Sequence, residues 1–523
     1  MKNIHEFKTL VEEKATAQKR AAILSAKRRR VAGAGIASLA LAIAILLPTF
    51  GMLYPTAPSE ETGAPLTENM SSLLEKHEIQ STAKPPFLGI NPDTESEGVP
   101  EKEPSTSEPL PNPPFSDESS ALSPFDKPLK GLTAINRLEG LTAQAVAERK
   151  VDKAFTDAYL NFALTLFKDA NGVKNSENLC FSPLSIMLAL AVTANGADGI
   201  TLAEMEDFLG GELSIEELNA TLRTWMNKMQ NRSYSISVLN AANSIWVRQG
   251  AFNPTPAFLQ TVADHYRTAL FEAPFDDSTV EDVNLWISYH TGGMIEKMLT
   301  EIQEDTMMYI INTLYLDAVW ATKYRDSQLS DGVFHGVNGD SDATMMYEEM
   351  NAYLSMEGAS GFYKAMDGYA FYAILPDEGV EIDEFVASLT AEKIRAFCGS
   401  GIRAEVHTYL PSFSYDSSID FTKILESYIP TALSPLLADF HKMRTTDDGD
   451  TLYVGSVQQN TSIKVGQNGI AAAAGTIIEL PTYGDGPSEA LPVYHITLDR
   501  PFVYLIVDEL TNLPIFIGVV EQL

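Results

Sequence analysis

The sequence predicts an α+β fold over about residues 131–523, a helix-rich first half joined to a strand-rich second half in one domain. Three observations carry this. Between about 150 and 300, apolar residues recur at helical spacing. From Met307 onward they form short continuous runs of the kind buried strands use, ending almost wholly in β pattern. The chain of 523 residues is 45% hydrophobic and only 20% charged, enough apolar material for a sizeable core.

Three segments precede the domain. Residues 1–30 carry nine Lys/Arg against three Glu and end in Lys27-Arg28-Arg29-Arg30. Residues 31–54, VAGAGIASLALAIAILLPTFGMLY, hold no charge. About 20 apolar residues rising 1.5 Å each cross a bilayer core, so this stretch is expected to be a transmembrane signal-anchor helix. The basic flank then belongs in the cytoplasm and the C-terminal bulk outside the cell membrane. A signal peptide cleaved near Ala57 is the competing reading, and it exports and secretes the same domain. Residues 55–130 hold 14 of the 28 prolines, with 14 acidic and five basic residues. Such a segment cannot build a core and is expected to be a disordered, self-repelling linker.

Within the domain, Phe155, Tyr159, Phe162 and Leu166 form one helical face. Residues 178–195 read as a short apolar strand followed by a helix, with Ser182 as N-cap and Pro183 as first helical residue. Thr201-Leu202-Ala203-Glu204 has the pattern of a capping box, with Gly210 or Gly211 closing that helix. Further helices are expected at 254–267 and 280–299. Met308–Leu316, Tyr369–Leu375, Ile402–Leu410, Pro501–Asp508 and Pro514–Val520 read as strands.

The chemistry of an enzyme is missing. The eight histidines lie far apart and make no metal pair, so no metal or other cofactor is expected. No nucleophile elbow, Walker loop or dinucleotide fingerprint appears. A formal charge of -33 is a poor match for nucleic acid. Cys180 and Cys398 are expected to be two separate buried thiols.

One stretch is locally conflicted. In Gly466–Pro487 four alanines, 471–474, favour helix, Thr476-Ile477-Ile478 favours strand, and Gly484, Gly486 and Pro487 favour an exposed loop. Such a conflict marks a two-state element.

Several motifs together resemble the serpin family of serine-protease inhibitors. They are Asn178-Leu179-Cys180-Phe181-Ser182-Pro183-Leu184-Ser185-Ile186, Asn312 followed by Tyr315 and Trp320, Leu375-Pro376-Asp377-Glu378, and Leu410-Pro411-Ser412-Phe413. The end, Asp499-Arg500-Pro501-Phe502-Val503-Tyr504 through Phe516-Ile517-Gly518, is similar to the family's C-terminal signature. The resemblance implies helices packed on a large central β-sheet, with an exposed reactive-centre loop. It implies a suicide substrate: a protease cleaves the loop, and the freed loop inserts into the sheet with the acylated protease attached.

The resemblance further implies a hinge at Gly469, Ile470, Ala471, Ala472, Ala473, Ala474, Gly475 and Thr476. It implies a sheet-opening region at Asn178, Ser182, Ser185, Asn312 and Gln459. Period-2 alternation would turn Ile470, Ala472, Ala474, Thr476, Ile478 and Leu480 toward the core and leave Glu479, the only charge among 470–480, outside. Family spacing implies cleavage at Tyr483–Gly484 by a chymotrypsin-like or subtilisin-like serine protease. Cleavage after Leu480 or Thr482 by an elastase-like one is the alternative. A monomer is expected. Three positions depart from the family pattern: Ile470 replaces a small hydroxyl residue, Gln467 an acidic one and Gln459 a histidine. They keep open a second reading, a non-inhibitory serpin-like binding or scaffold protein at the cell surface.

Overall fold

The computed structural model describes residues 129–137, 141–174, 178–232, 237–250, 253–266, 268–302, 306, 308–444, 452–470 and 491–523; for residues 241 and 312 it describes the backbone alone. The expected anchor at 31–54, nearly all of the expected linker, the hinge residues Ala471–Thr476 and the bond Tyr483–Gly484 lie outside the described residues.

The first half contains β1 (Ile135–Asn136), α1 (Lys153–Val173), β2 (Leu179–Phe181), α2 (Pro183–Ala194), α3 (Gly199–Gly210) and α4 (Ile215–Gln230). It continues through β3 (Val238–Arg248), α5 (Pro256–Tyr266), β4 (Ala269–Ala273) and α6 (Asp277–His290). Next come β5 (Met308–Val319), β6 (Leu329–Gly336), β7 (Gly339–Met356), β8 (Ala359–Ala365), β9 (Tyr369–Pro376), α7 (Ile382–Ser388) and α8 (Ala391–Cys398). The chain closes with β10 (Ile402–Pro411), β11 (Phe413–Asp420), α9 (Thr422–Leu425), β12 (Gln458–Gly466), β13 (Gly469–Ile470), β14 (Val493–Thr497), β15 (Phe502–Asp508) and β16 (Leu513–Val520).

These strands make two sheets. The seven-stranded one runs β1-β4-β3-β5-β13-β12-β11. The nine-stranded one runs β14-β10-β7-β8-β9-β15-β16-β2, with β6 added on β7. The main core includes α1, whose Phe155, Tyr159, Phe162 and Leu166 are all buried as their spacing requires, and the wholly apolar β15–β16 hairpin. A smaller core covers the opposite face of the seven-stranded sheet, where Val283, Trp286 and Ile287 of α6 pack on Trp246, Phe271 and Ile311.

The start of the domain straps onto this second core. Leu129, Leu132 and Ala134 pack there, and β1 pairs with β4. The buried Asp282 carboxylate of α6 accepts from Thr133 N at 2.9 Å, Thr133 Oγ1 at 2.8 Å and Ala134 N at 2.8 Å.

Three sequence expectations need revision or refinement. The capping box at Thr201–Glu204 does not form. The N-cap of α3 is Asp198, three residues earlier, and both side chains serve distant partners: Thr201 Oγ1 accepts from Asp439 N at 3.0 Å, and Glu204 accepts from Thr431 N and Oγ1. A genuine capping box occurs instead at Ser214 and Glu217. The helix expected over 280–299 spans Asp277–His290, because Gly292 and Gly293 take positive φ of 60° and 82° and end it. Cys180 and Cys398 are both free; Cys180 is fully buried and Cys398 keeps part of its residue surface exposed, and burial pushes both thiols up to about 12.

Candidate functional site, a gap between two strands

Strand β5 pairs along its length with β3 on one side. On its other side, among the described residues, it pairs only with the two residues of β13, and β12 likewise meets β13 there. The top of the sheet is therefore closed by Gly469 and Ile470, while below them β5 and β12 stand apart. Two cavities mark the separation. The upper, of about 20 Å³, lies beneath Ile470 among Leu314, Leu316, Ile463 and Ile295. The lower, of about 50 Å³, lies over the start of α2 among Ser185, Ile186, Met308, Ile310 and Gln459.

The hinge is seated by a tight turn. Trp320 Nε1 donates to Gly466 O at 2.8 Å, Trp320 N to Asn468 O at 3.1 Å and Tyr324 N to Gln467 O at 3.2 Å. Gln467 Nε2 donates to Tyr324 O at 3.0 Å and Asp326 Oδ1 at 2.8 Å. The residue that replaces an acidic one thus supplies a donor that a carboxylate lacks. Gly469 has a φ of 150°, and a Cβ there would fall 2.1 Å from Ala318 O, so only glycine lets the chain enter so close to β5. Ile470 is 3% exposed and pairs with Ala318 and Val465, both on the core face. Its apolar bulk is at home in that position.

Beneath Trp320 lies a buried ion pair, Lys364 with Glu348. The Lys364 ammonium sits 4.2 Å from the Tyr324 ring centroid and 5.5 Å from that of Trp320. Burial lowers the Lys364 pKa, against the pull of Glu348. Asp317, one step below the hinge on the other face of β5, has a buried Oδ1 without a partner among the described residues, and burial pushes its carboxyl up to about 6. On the α6 side, Thr291, Met294 and Ile295 line the upper cavity directly after His290. Burial drives His290 down to about 4, and Asn240 Nδ2 donates to its carbonyl at 2.9 Å.

At the lower end the structure brings together Ser182, Ser185 and Gln459. Ser182 N donates to Gln459 Oε1 at 2.8 Å, and Gln459 Nε2 donates to Ser182 O at 3.2 Å. Ser182 Oγ caps α2 by accepting from Ser185 N at 3.1 Å. Asn312 stands on β5 opposite Asn243. Asn178 does not join them: its side chain holds the C-terminal tail through Glu521 N, Gln522 N and Gln522 O. The turn-holding residues Tyr324 and Asp326 were not foreseen from sequence; an aromatic at 320 followed by a second at 324 is the only local signal.

The far end of the loop is also fixed. β14 lies parallel to β10 in the other sheet, paired from Val493 with Glu405 to Thr497 with Tyr409. The chain thus leaves one sheet at Ile470 and joins the other at Val493. The serpin profile, described as serine protease inhibitor, matches residues 157–523. The chain belongs to the serpin family. This is a family of protease inhibitors in general, not of enzymes. Among solved structures, the thermophilic serpin Tengpin in its native state is 39% identical, covers 75% of this chain and 100% of its own, and superposes with a TM-score of 0.69. An uncharacterised serpin-like protein of Thermococcus kodakarensis is 25% identical, covering 72% of this chain and 88% of its own length. Neuroserpin of Gallus gallus is 25% identical, covering 72% and 95%.

Proposed function

We propose that this serpin is an inhibitory one: a suicide substrate of serine proteases, held outside the cytoplasm by the 31–54 anchor and the 55–130 linker, with Tyr483–Gly484 as its reactive bond. The observation that carries the reading is the two-residue strand β13 seated in register at the head of the gap. Continuing that register downward sets Ala472 between Leu316 and Ile463, Ala474 between Leu314 and Thr461, and Thr476 between Asn312 and Gln459. The core-facing wall of β12 is buried at Gln459, Thr461, Ile463 and Val465, and Leu316 is buried on β5. Small, uncharged residues at 472 and 474 match such a track, and Glu479 falls on the opposite face.

A tyrosine before the cleaved bond fits the primary pocket of a chymotrypsin-like or subtilisin-like protease. Among the described residues no helix is long and apolar enough to cross a membrane; the anchor rests on residues 31–54 of the sequence alone. The expected outcome is a covalent complex with chymotrypsin or a subtilisin that survives boiling in detergent. Ala474→Arg should convert inhibitor to substrate, because a guanidinium between Leu314 and Thr461 costs several kcal/mol when buried unpaired. Normal inhibition by that variant would overturn the insertion track. Clean cleavage with no complex and no gain in heat stability would favour the non-inhibitory reading.

A further inference from the structure

A polar cavity of about 120 Å³, larger than either gap cavity, shares no lining residue with them. Its walls are Leu188 of α2, Arg223 and Met226 of α4, Asn243 of β3, and Asp264 of α5, and Ala143 of the N-terminal strap borders it. Two opposite charges face this space and do not pair with each other or with any other charged side chain among the described residues. Arg223 Nη1 donates to Gln144 O at 3.1 Å and has no carboxylate partner there, in a chain of net charge -33. A guanidinium has five N–H donors, so most of its capacity is unused. Asp264 Oδ1 accepts from Gln144 N at 2.6 Å and Gln260 Nε2 at 2.7 Å, and Oδ2 carries no hydrogen bond among the described residues. His265 lies beside both: burial and Arg223 lower its pKa, a backbone hydrogen bond at Asn219 and then Asp264 pull it back up, and its Nδ1 is buried without a hydrogen-bond partner among the described residues.

We propose that this cavity binds a small zwitterion of the α-amino-acid class, with its carboxylate on Arg223, its ammonium on Asp264 and a short apolar side chain against Leu188 and Met226. A lone anion would leave Asp264 uncompensated, and a lone cation would leave Arg223 so. A bidentate guanidinium–carboxylate contact suits the one end and a charge-assisted N–H···O contact the other. The space admits a ligand of roughly six to nine non-hydrogen atoms, a size that reaches millimolar to micromolar Kd. Because Gln144 bonds both charged residues, an occupied cavity also fastens the strap at residues 142–144.

Calorimetric titration of the full-length protein with L-alanine and L-leucine tests this, with butyrate and propylamine as probes of each charge alone. Saturable binding of at least one amino acid is expected, with each single-charge probe at least about tenfold weaker. Arg223→Gln and Asp264→Asn should each weaken amino-acid binding about tenfold or more, with unliganded melting curves like the parent's. Should a variant misfold, the ring signals of His265 in the unaltered protein decide: they should shift with alanine and stay with butyrate or propylamine. No saturable heat into the millimolar range, equal affinity for butyrate or propylamine, or variants binding like the parent would each overturn the assignment. None of these readouts depends on protease inhibition.

Discussion

Replacing Gln459 with leucine removes both side-chain hydrogen bonds that hold the head of α2 to β12 while nearly conserving volume. The cost can be worked from the contacts. Ser182 is 1% exposed and Gln459 7%, so the lost partners are shielded from bulk water. Ser182 N has Gln459 Oε1 as its acceptor and would be orphaned, at about 1–3 kcal/mol. Ser182 O keeps Ile186 N at 3.3 Å and forfeits only its second donor, at about 0.5–1.5 kcal/mol. Together Gln459→Leu should lose about 2–4 kcal/mol, a drop in melting temperature of about 2–5 °C for a domain this large. Gln459→His, the residue the sequence resemblance leads one to expect there, can keep a single ring nitrogen on Ser182 and should lose about half as much. The assay is thermal unfolding of the intact protein followed by circular dichroism, checked by urea midpoints at constant slope. If the leucine variant melts within about 1 °C of the parent, the reasoning that these two bonds bind helix to strand is wrong.

Two further perturbations follow from the same region. Gly469→Ala sets a Cβ against Ala318 O and should lift β13 out of the sheet, exposing Ile470 at a cost of about 2 kcal/mol or more. Faster amide exchange at Ile470, with β14 unchanged, is the expected reading. His290 gives a pH dependence of definite sign. Its folded value near 4 lies below the ordinary value near 6.5, so the unfolded chain binds more protons between them. Stability from this group is complete above about 6.5 and is lost as pH falls toward about 4, by up to about 3 kcal/mol. His290→Asn should flatten that loss in an acid titration of the melting temperature.

How much of this was legible beforehand depends on the range of the interaction. The α1 face at Phe155, Tyr159, Phe162 and Leu166 could be read because one helix period puts all four on one side. Ser182 with Pro183 could be read because a cap is satisfied within three residues. Strand alternation grouped Ile470 with Ala472 and Ala474, the resemblance turned that group toward the core, and Ile470 is 3% exposed. Thr201 and Glu204 misled for the converse reason: their local partners lost to backbone more than 200 residues away. The grip of Trp320, Tyr324 and Asp326 on the 466–468 turn spans some 140 residues and leaves no periodic trace. Nor does sequence say that β5 and β12 stand apart, since separation is a property of a pair of strands and each reads normally alone.

The anchorage of β14 has a consequence for how often such a molecule can act. If residues 470–480 lay alongside β5 as far as Met308, about twelve residues would remain before Val493, a reach of roughly 40–43 Å when taut. Retracing β5 alone uses about 36 Å of that, before the crossing to the neighbouring sheet. An unbroken backbone therefore cannot satisfy both attachments with anything to spare; severing one peptide link, or stripping β14 from β10, is needed first. If the chain acts by the proposed insertion, neither event reverses easily; each copy would then be spent in a single discharge, and a cell would have to set its protection by the number of fresh copies it makes rather than by turnover.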